Sequence, residues 1–189
     1  MATTISSGRG NSPLLTANIA DHGTIYGGRG LDFDGVTDYL VNDSFTAHQS
    51  TTGTLSAWAK LGDISGYQYI VSVGGTTTTG ATRSIAFDNG AVFMAGYSAN
   101  WTSGATITAD VWNHYAVTWN GTSIVVYLNG VAYTQTIGGL VTPTGTKLVI
   151  GGQAWDYGSL INATISDVKV FNTALTEAQV QELLSLIHI

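Results

Sequence analysis

Trp101 and Trp155 are the side chains best suited to recognition chemistry in this 189-residue chain. Each stands in a polar, Gly-rich segment, 97–104 and 151–159, where no strand alternation asks for a large ring. An indole outside a core pattern can stack on an apolar C–H surface such as the face of a sugar ring, while nearby amides and carboxylates bond the hydroxyls. Tyr97 and Asn100 accompany Trp101, and Gln153, Asp156 and Tyr157 accompany Trp155, so each ring has polar neighbours of that kind. The alternative reading folds both loops over a sheet edge with the indoles as plugs. Trp58, Trp112 and Trp119 fall in strand-like runs and read as core or sheet-packing residues.

Catalytic constellations are harder to assemble. Retaining glycoside hydrolysis needs two carboxylates about 5–5.5 Å apart, yet the only glutamates, Glu177 and Glu182, both lie near the C-terminus. A pair of aspartates is the one remaining route, which makes a hydrolase the least favoured reading. The four histidines, at 22, 48, 114 and 188, share no context: there is no Gly-x-Ser-x-Gly elbow and no His-x-x-x-His spacing, so neither a triad nor a zinc site is expected. His114 reads as a strand surface residue. Asp32, Asp34 and Asp38 surround Gly35 in the manner of part of a calcium loop, but the third ligand spacing and the closing glutamate are missing. A strand and turn bent at Gly35 is the simpler reading; a structural calcium site is the alternative, and no other cofactor is expected.

These residues must be positioned by strands. In Leu55 to Leu61, period-2 alternation sets Leu55, Ala57, Ala59 and Leu61 on one face and Ser56, Trp58 and Lys60 on the other. Tyr115, Val117 and Trp119 likewise share a face opposite His114, Ala116 and Thr118, and Val168 and Val170 oppose Asp167 and Lys169. Asn89-Gly90, Asn120-Gly121 and Asn129-Gly130 each separate two apolar runs, and this dipeptide suits the type I′ turn of a hairpin. Roughly ten or more short strands follow, enough for two packed sheets. One helix is expected, with Thr176 as cap, Gln179 completing a capping box, and Ala178, Val180, Leu183 and Leu184 at helical spacing.

Composition narrows the class. Apolar residues make up 44% of the chain and charged residues only 10%, which excludes a disordered solvating chain. A net charge of −6, with six Lys and Arg scattered singly, leaves no basic stripe for nucleic acid. No apolar run is long enough to span a bilayer, no signal peptide is visible after Met1, and the absence of cysteine removes any disulfide framework. Residues 1–20 read as a polar N-terminal arm and 21–183 as one domain. Residues 184–189 coincide with the translation of a sequencing-library transposon end, and are read as an adapter scar on a metagenomic sequence, excluded from the fold; the alternative is an ordinary apolar helix tail.

Six pieces of the chain, in order, carry a resemblance: Leu31 to Leu40 (LDFDGVTDYL), Leu55 to Lys60, Trp112 to Trp119, Tyr127-Leu128-Asn129-Gly130, Leu148 to Gly152, and Ile165 to Asn172 leading to Ala174-Leu175-Thr176. Together they resemble the laminin G-like branch of the concanavalin A-like lectin and glucanase superfamily. The resemblance implies an all-β, two-sheet antiparallel jelly-roll sandwich with a short C-terminal helix. It also implies a superfamily calcium site, for which Asp32, Asp34 and Asp167 are the candidates, although the usual acidic pair is a single acid here, in Ile165-Ser166-Asp167-Val168. The Glu-x-Asp-x-x-Glu strand motif of the enzymatic members is missing. The function expected is therefore a non-catalytic surface recognition module that binds carbohydrate, extracellular or on a virion surface. The alternative is a structural or decoration protein of a virus particle, which would dock on a protein lattice or form a homo-oligomer.

Overall fold

The computed structural model describes residues 6–7, 30–94, 96, 98, 100–136 and 140–185. The alternation in Leu55–Leu61 and Tyr115–Trp119 produces what it predicts: Leu55, Ala57, Ala59, Leu61, Tyr115, Val117 and Trp119 all point into one core, each exposed by 1% or less. Two antiparallel sheets enclose that core. One is seven-stranded, ordered β1 (Ser6–Ser7), β3 (Leu40–Asn42), β12 (Lys147–Ile150), β5 (Tyr67–Gly74), β6 (Arg83–Asp88), β7 (Ala91–Met94), β8 (Trp101–Thr106). The other is six-stranded, ordered β11 (Val131–Thr136), β10 (Ser123–Leu128), β9 (Trp112–Asn120), β4 (Thr52–Leu61), β13 (Asn162–Phe171), β2 (Leu31–Asp34). This is the jelly-roll sandwich expected.

All three hairpins form. Asn89-Gly90 and Asn129-Gly130 have positive φ at both residues, joining β6 to β7 and β10 to β11 through type I′ turns. The third turn is shifted by one residue: Asn120 pairs with Ser123, so the loop is Gly121-Thr122, and only Gly121 has positive φ. Glycine in the first loop position gives a type II′ turn, which the Asn-Gly reading placed one residue early.

The helix α1 (Glu177–Ser185) begins with the expected capping box, the Gln179 amide donating to Thr176 Oγ1 at 3.3 Å and the Thr176 amide to Gln179 Oε1 at 2.9 Å. Its Val180 is fully buried against Ala116 and Tyr127, with Leu175 beside them, so α1 covers part of the outer face of the six-stranded sheet. On the same outer face one expectation is corrected. His114 is 1% exposed, its Nε2 2.8 Å from Ser56 Oγ and its ring tilted against Trp58 at 5.5 Å. Alternation gave its face correctly, but that face is buried. Trp112 is corrected the other way. It shares the outer face with His114, pairs with Lys60, and stays 38% exposed.

Val168 and Val170 pack against the core as read, but β13 carries a bulge between Ser166 and Lys169, where Asp167 takes φ +52. Of the expected arm, only Ser6–Ser7 lies within the described residues, paired with Val41 and Leu40. Of the suspected scar, Leu184 and Ser185 belong to α1 and 186–189 lie outside the described residues.

Candidate functional site

Three local devices build one end of the sandwich. The first is the turn between β2 and β3. Asp34 Oδ1 accepts the amides of Val36 (2.9 Å), Thr37 (2.7 Å) and Asp38 (3.1 Å), Oδ2 accepts the Thr37 hydroxyl (2.8 Å), and Gly35 supplies the positive φ the bend needs. These donors, the Thr37 and Val36 amides first, hold the Asp34 carboxyl well below the usual carboxylate range. The second is the loop between β4 and β5, where Asp63 accepts the Ser65 amide at 2.9 Å and the Ser65 hydroxyl at 2.8 Å, which lowers its pKa as well. Gln68, 6% exposed, ties this loop to the third device: its Nε2 donates to the Ser65 carbonyl at 2.9 Å and its Oε1 accepts the Asn162 amide at 3.1 Å.

The third device is the 151–161 loop between β12 and β13. The Gln153 amide donates to the Gly158 carbonyl and the Tyr157 amide to the Gln153 carbonyl, both at 3.1 Å. Asp156 Oδ1 accepts the Gly158 amide at 2.9 Å and also the Gln153 side-chain amide. Gly151 has no room for a side chain, since a Cβ there would lie 2.5 Å from the Phe33 ring. The loop is thus fixed by its own polar groups.

Between the three devices lies an open cleft of about 620 Å³, lined among others by Asp34, Asp63, Tyr67, Gln68, Tyr157 and Asn162. Tyr67 is 56% exposed and stands edge-on to Phe93, centroids 5.5 Å apart. From there an aromatic run crosses the outer face of the seven-stranded sheet: Phe93 to Tyr69 at 6.0 Å, and Tyr69 to Trp155 at 5.5 Å with the rings perpendicular. Burial pushes the Tyr69 hydroxyl above its ordinary value.

The candidates read from sequence are divided by the structure. Gln153, Trp155, Asp156 and Tyr157 come together in one loop, but only Tyr157 lines the cleft; Trp155 packs half-buried on Tyr69, Ala86 and Phe93. The Tyr157 ring is engaged by Tyr39, stacked at 5.1 Å, and by the Lys147 ammonium 4.1 Å from its centroid, while its hydroxyl donates to Asp43 at 3.1 Å. Trp101 pairs with Met94, shares its inward face and packs on the main core, opposite to Trp155. Asn100 accepts the Gly96 amide at 3.2 Å, and Tyr97 lies outside the described residues. Tyr67, Gln68, Asp63 and Asn162 were missed. Tyr67-Gln68-Tyr69 carried a signal, two aromatic rings on one face of a strand; Asp63 and Asn162 carried none.

The calcium candidates do not converge. Asp32 accepts the Thr164 hydroxyl at 2.6 Å, Asp34 already accepts four donors from its own turn, and Asp167 pairs with Lys169. Among the described residues no three His, Cys, Asp or Glu are grouped to hold a metal ion, so these carboxylates do not fit a calcium site. The melting temperature in millimolar calcium is expected to match that in chelator. An upward shift on adding calcium would reveal a site assembled from other oxygens.

A family model described as the concanavalin A-like lectin/glucanases superfamily matches residues 34–181. No curated protein matches the sequence significantly. Among solved structures, the chain is similar to domain 4 of AbnA, a GH43 extracellular arabinanase from Geobacillus stearothermophilus, in complex with arabinotriose; identity is 20%, the TM-score 0.66, and the match covers 82% of this chain and 75% of that one. It is similar also to a heptameric SAP-like pentraxin from Limulus polyphemus, at 22% identity, TM-score 0.65, covering 82% and 80%. A third is a botulinum neurotoxin type C structure whose cell entry depends on two ganglioside molecules, at 16% identity, TM-score 0.60, covering 84% of this chain and 42% of that one. At these identities the likeness is one of fold. The sequence pattern, the jelly-roll topology and the family match agree: the chain belongs to the concanavalin A-like lectin/glucanases superfamily, as a laminin G-like domain.

Proposed function

We propose that the domain is a non-catalytic glycan-binding module, acting at an extracellular or virion surface, whose site is the cleft at the 34–38, 62–66 and 157–162 loops. The observation that carries this reading is the exposed Tyr67 ring standing beside Asp34, Asp63 and Asn162 in an open, preorganised cleft. An aromatic face flanked by amide and carboxylate groups is the chemistry a saccharide needs, and loops fixed before binding limit its entropic cost. The arabinotriose complex of a similar fold is consistent with it.

Two arguments weigh against hydrolysis. Glycoside cleavage requires one carboxyl kept protonated as general acid, whereas Asp34 and Asp63 both have lowered pKa values. The Ser56–His114 contact has the look of a nucleophile and base, but both residues are 1% exposed and no substrate reaches them.

A glycan array probed with the folded domain, in calcium and in chelator, tests the reading. Tyr67→Ala is expected to weaken specific signals about tenfold, the loss of one stacking contact, without unfolding the domain. Trp101→Ala, which removes an inward ring, is expected to lower stability and leave affinity unchanged. A blank array from a folded protein that self-associates or binds a lattice would favour structural display on a virus particle instead.

A further inference from the structure

The cleft has a fixed sign of charge. Asp34 and Asp63 line it, and none of its described lining residues is Lys, Arg or His. Around the rim the balance does not change: Asp38 accepts the Asp34 amide at 3.3 Å, Asp88 is the strand partner of Tyr67, and Asp43 holds the Tyr157 hydroxyl. The nearby cation Lys147 is drawn onto the Tyr157 ring.

We propose that this cleft selects uncharged saccharides and turns away glycans bearing a carboxylate, sulfate or phosphate; the proposal rests on the glycan-binding reading above. Backbone and hydroxyl donors keep both carboxylates ionised, so they act only as acceptors. Each Oδ2 takes one hydroxyl from the protein, Thr37 on Asp34 and Ser65 on Asp63, and retains lone pairs for the hydroxyls of a sugar. A neutral polyol can donate into this arrangement without displacing any bond that shapes the loops. An anionic substituent brings a third negative charge beside two that cannot be neutralised by protonation, with no lining cation to receive it. Two like charges beside it, solvent-exposed as these carboxylates are, together disfavour binding by about tenfold.

The test is an array carrying neutral glycans and acidic ones built on the same cores, read at low and at high salt with the wild-type domain, Tyr67→Ala and Asp63→Asn. Asparagine at 63 removes the charge and keeps an oxygen for the Ser65 amide, so the loop is preserved. The expected result is specific binding to neutral members, acidic counterparts about tenfold weaker, and a gap that narrows both in high salt and in Asp63→Asn. Both classes should weaken about tenfold in Tyr67→Ala, which ties the effect to this cleft. Acidic members bound as tightly as neutral ones, or a gap indifferent to salt and to Asp63→Asn, would overturn the charge selection while leaving the glycan reading standing. No binding to any member would overturn the glycan reading and this proposal with it.

Discussion

Replacing Trp119 with Ala is expected to remove about 3–5 kcal/mol of stability, a large share of the roughly 5–15 kcal/mol available to a domain of this kind. The ring is fully buried at the end of the main core, donates from Nε1 to the Ser50 carbonyl at 3.2 Å, and lies 5.8 Å from the guanidinium of Arg83. Arg83 is itself 1% exposed and bonds the carbonyls of Gly80 (2.6 Å), Thr82 (2.8 Å) and Val141 (2.8 Å), so the cavity would open next to a buried cation. Gly53 provides the complementary test. A Cβ at that position would lie 2.1 Å from Trp119 Cζ2, so Gly53→Ala forces the ring out of place and is expected to be strongly destabilising in the wild-type background. With Trp119 already truncated the methyl group has space, and the same change should cost far less. Equilibrium urea unfolding of the two single variants and the double variant measures this. Additive losses would show that the indole and Gly53 do not bear on one another.

Lowering the pH from about 6.5 to about 4 is expected to remove several kcal/mol of stability, through two buried histidines. His48 is pushed down to about 4, chiefly by burial and further by Arg83, with the Thr144 carbonyl offsetting part of the effect. His114 is also pushed down to about 4 by burial, with Lys169 lowering it further and Asp167 opposing. In the unfolded chain each imidazole protonates near its ordinary pKa of about 6.5. Between these values the unfolded state holds more protons, so stability is full above about pH 6.5, falls as the pH drops, and levels off below about 4. At 1.36 kcal/mol per pKa unit, each histidine contributes up to about 3 kcal/mol. Asp34 and Asp63, whose pKa values are lowered, add a further loss at more acidic pH, as they protonate below 3.8. Guanidinium unfolding across this range should show a slope approaching two protons, reduced by about one in His114→Asn. A stability that stays flat between pH 7 and 5 would mean that the imidazoles are charged in the fold.

Much of this architecture was legible because its signals are local. Alternation in Leu55–Leu61 and Tyr115–Trp119 identified which side chains share a face, since the strand period of two admits no other arrangement. The capping box of α1 and two of the three Asn-Gly turns were read correctly for the same reason: a few adjacent residues satisfy their own backbone. Alternation does not say whether a face is covered. His114 was read as exposed, and Trp112 as packed, because the burial of the outer face depends on Trp58, on α1 and on the bulge at Asp167, all distant in sequence. The loop holding Trp155 and Tyr157 stood out by composition, yet composition could not reveal that Tyr39 and Lys147 occupy the Tyr157 ring.

The sequence by itself thus determined most strands, two of the three turns and the inward faces, each encoded by residues within a few positions of one another, and the family, through six such pieces in order. Only the tertiary structure decided the site. Asp34, Asp63, Tyr67 and Asn162 meet because β2 pairs with β13 in the register that sets Asp34 opposite Asn162, and because Gln68 bridges to the Asn162 amide. That register follows from burying the inward faces of both sheets against one another, Phe33 included, a condition set by the whole chain and absent from any single stretch of it.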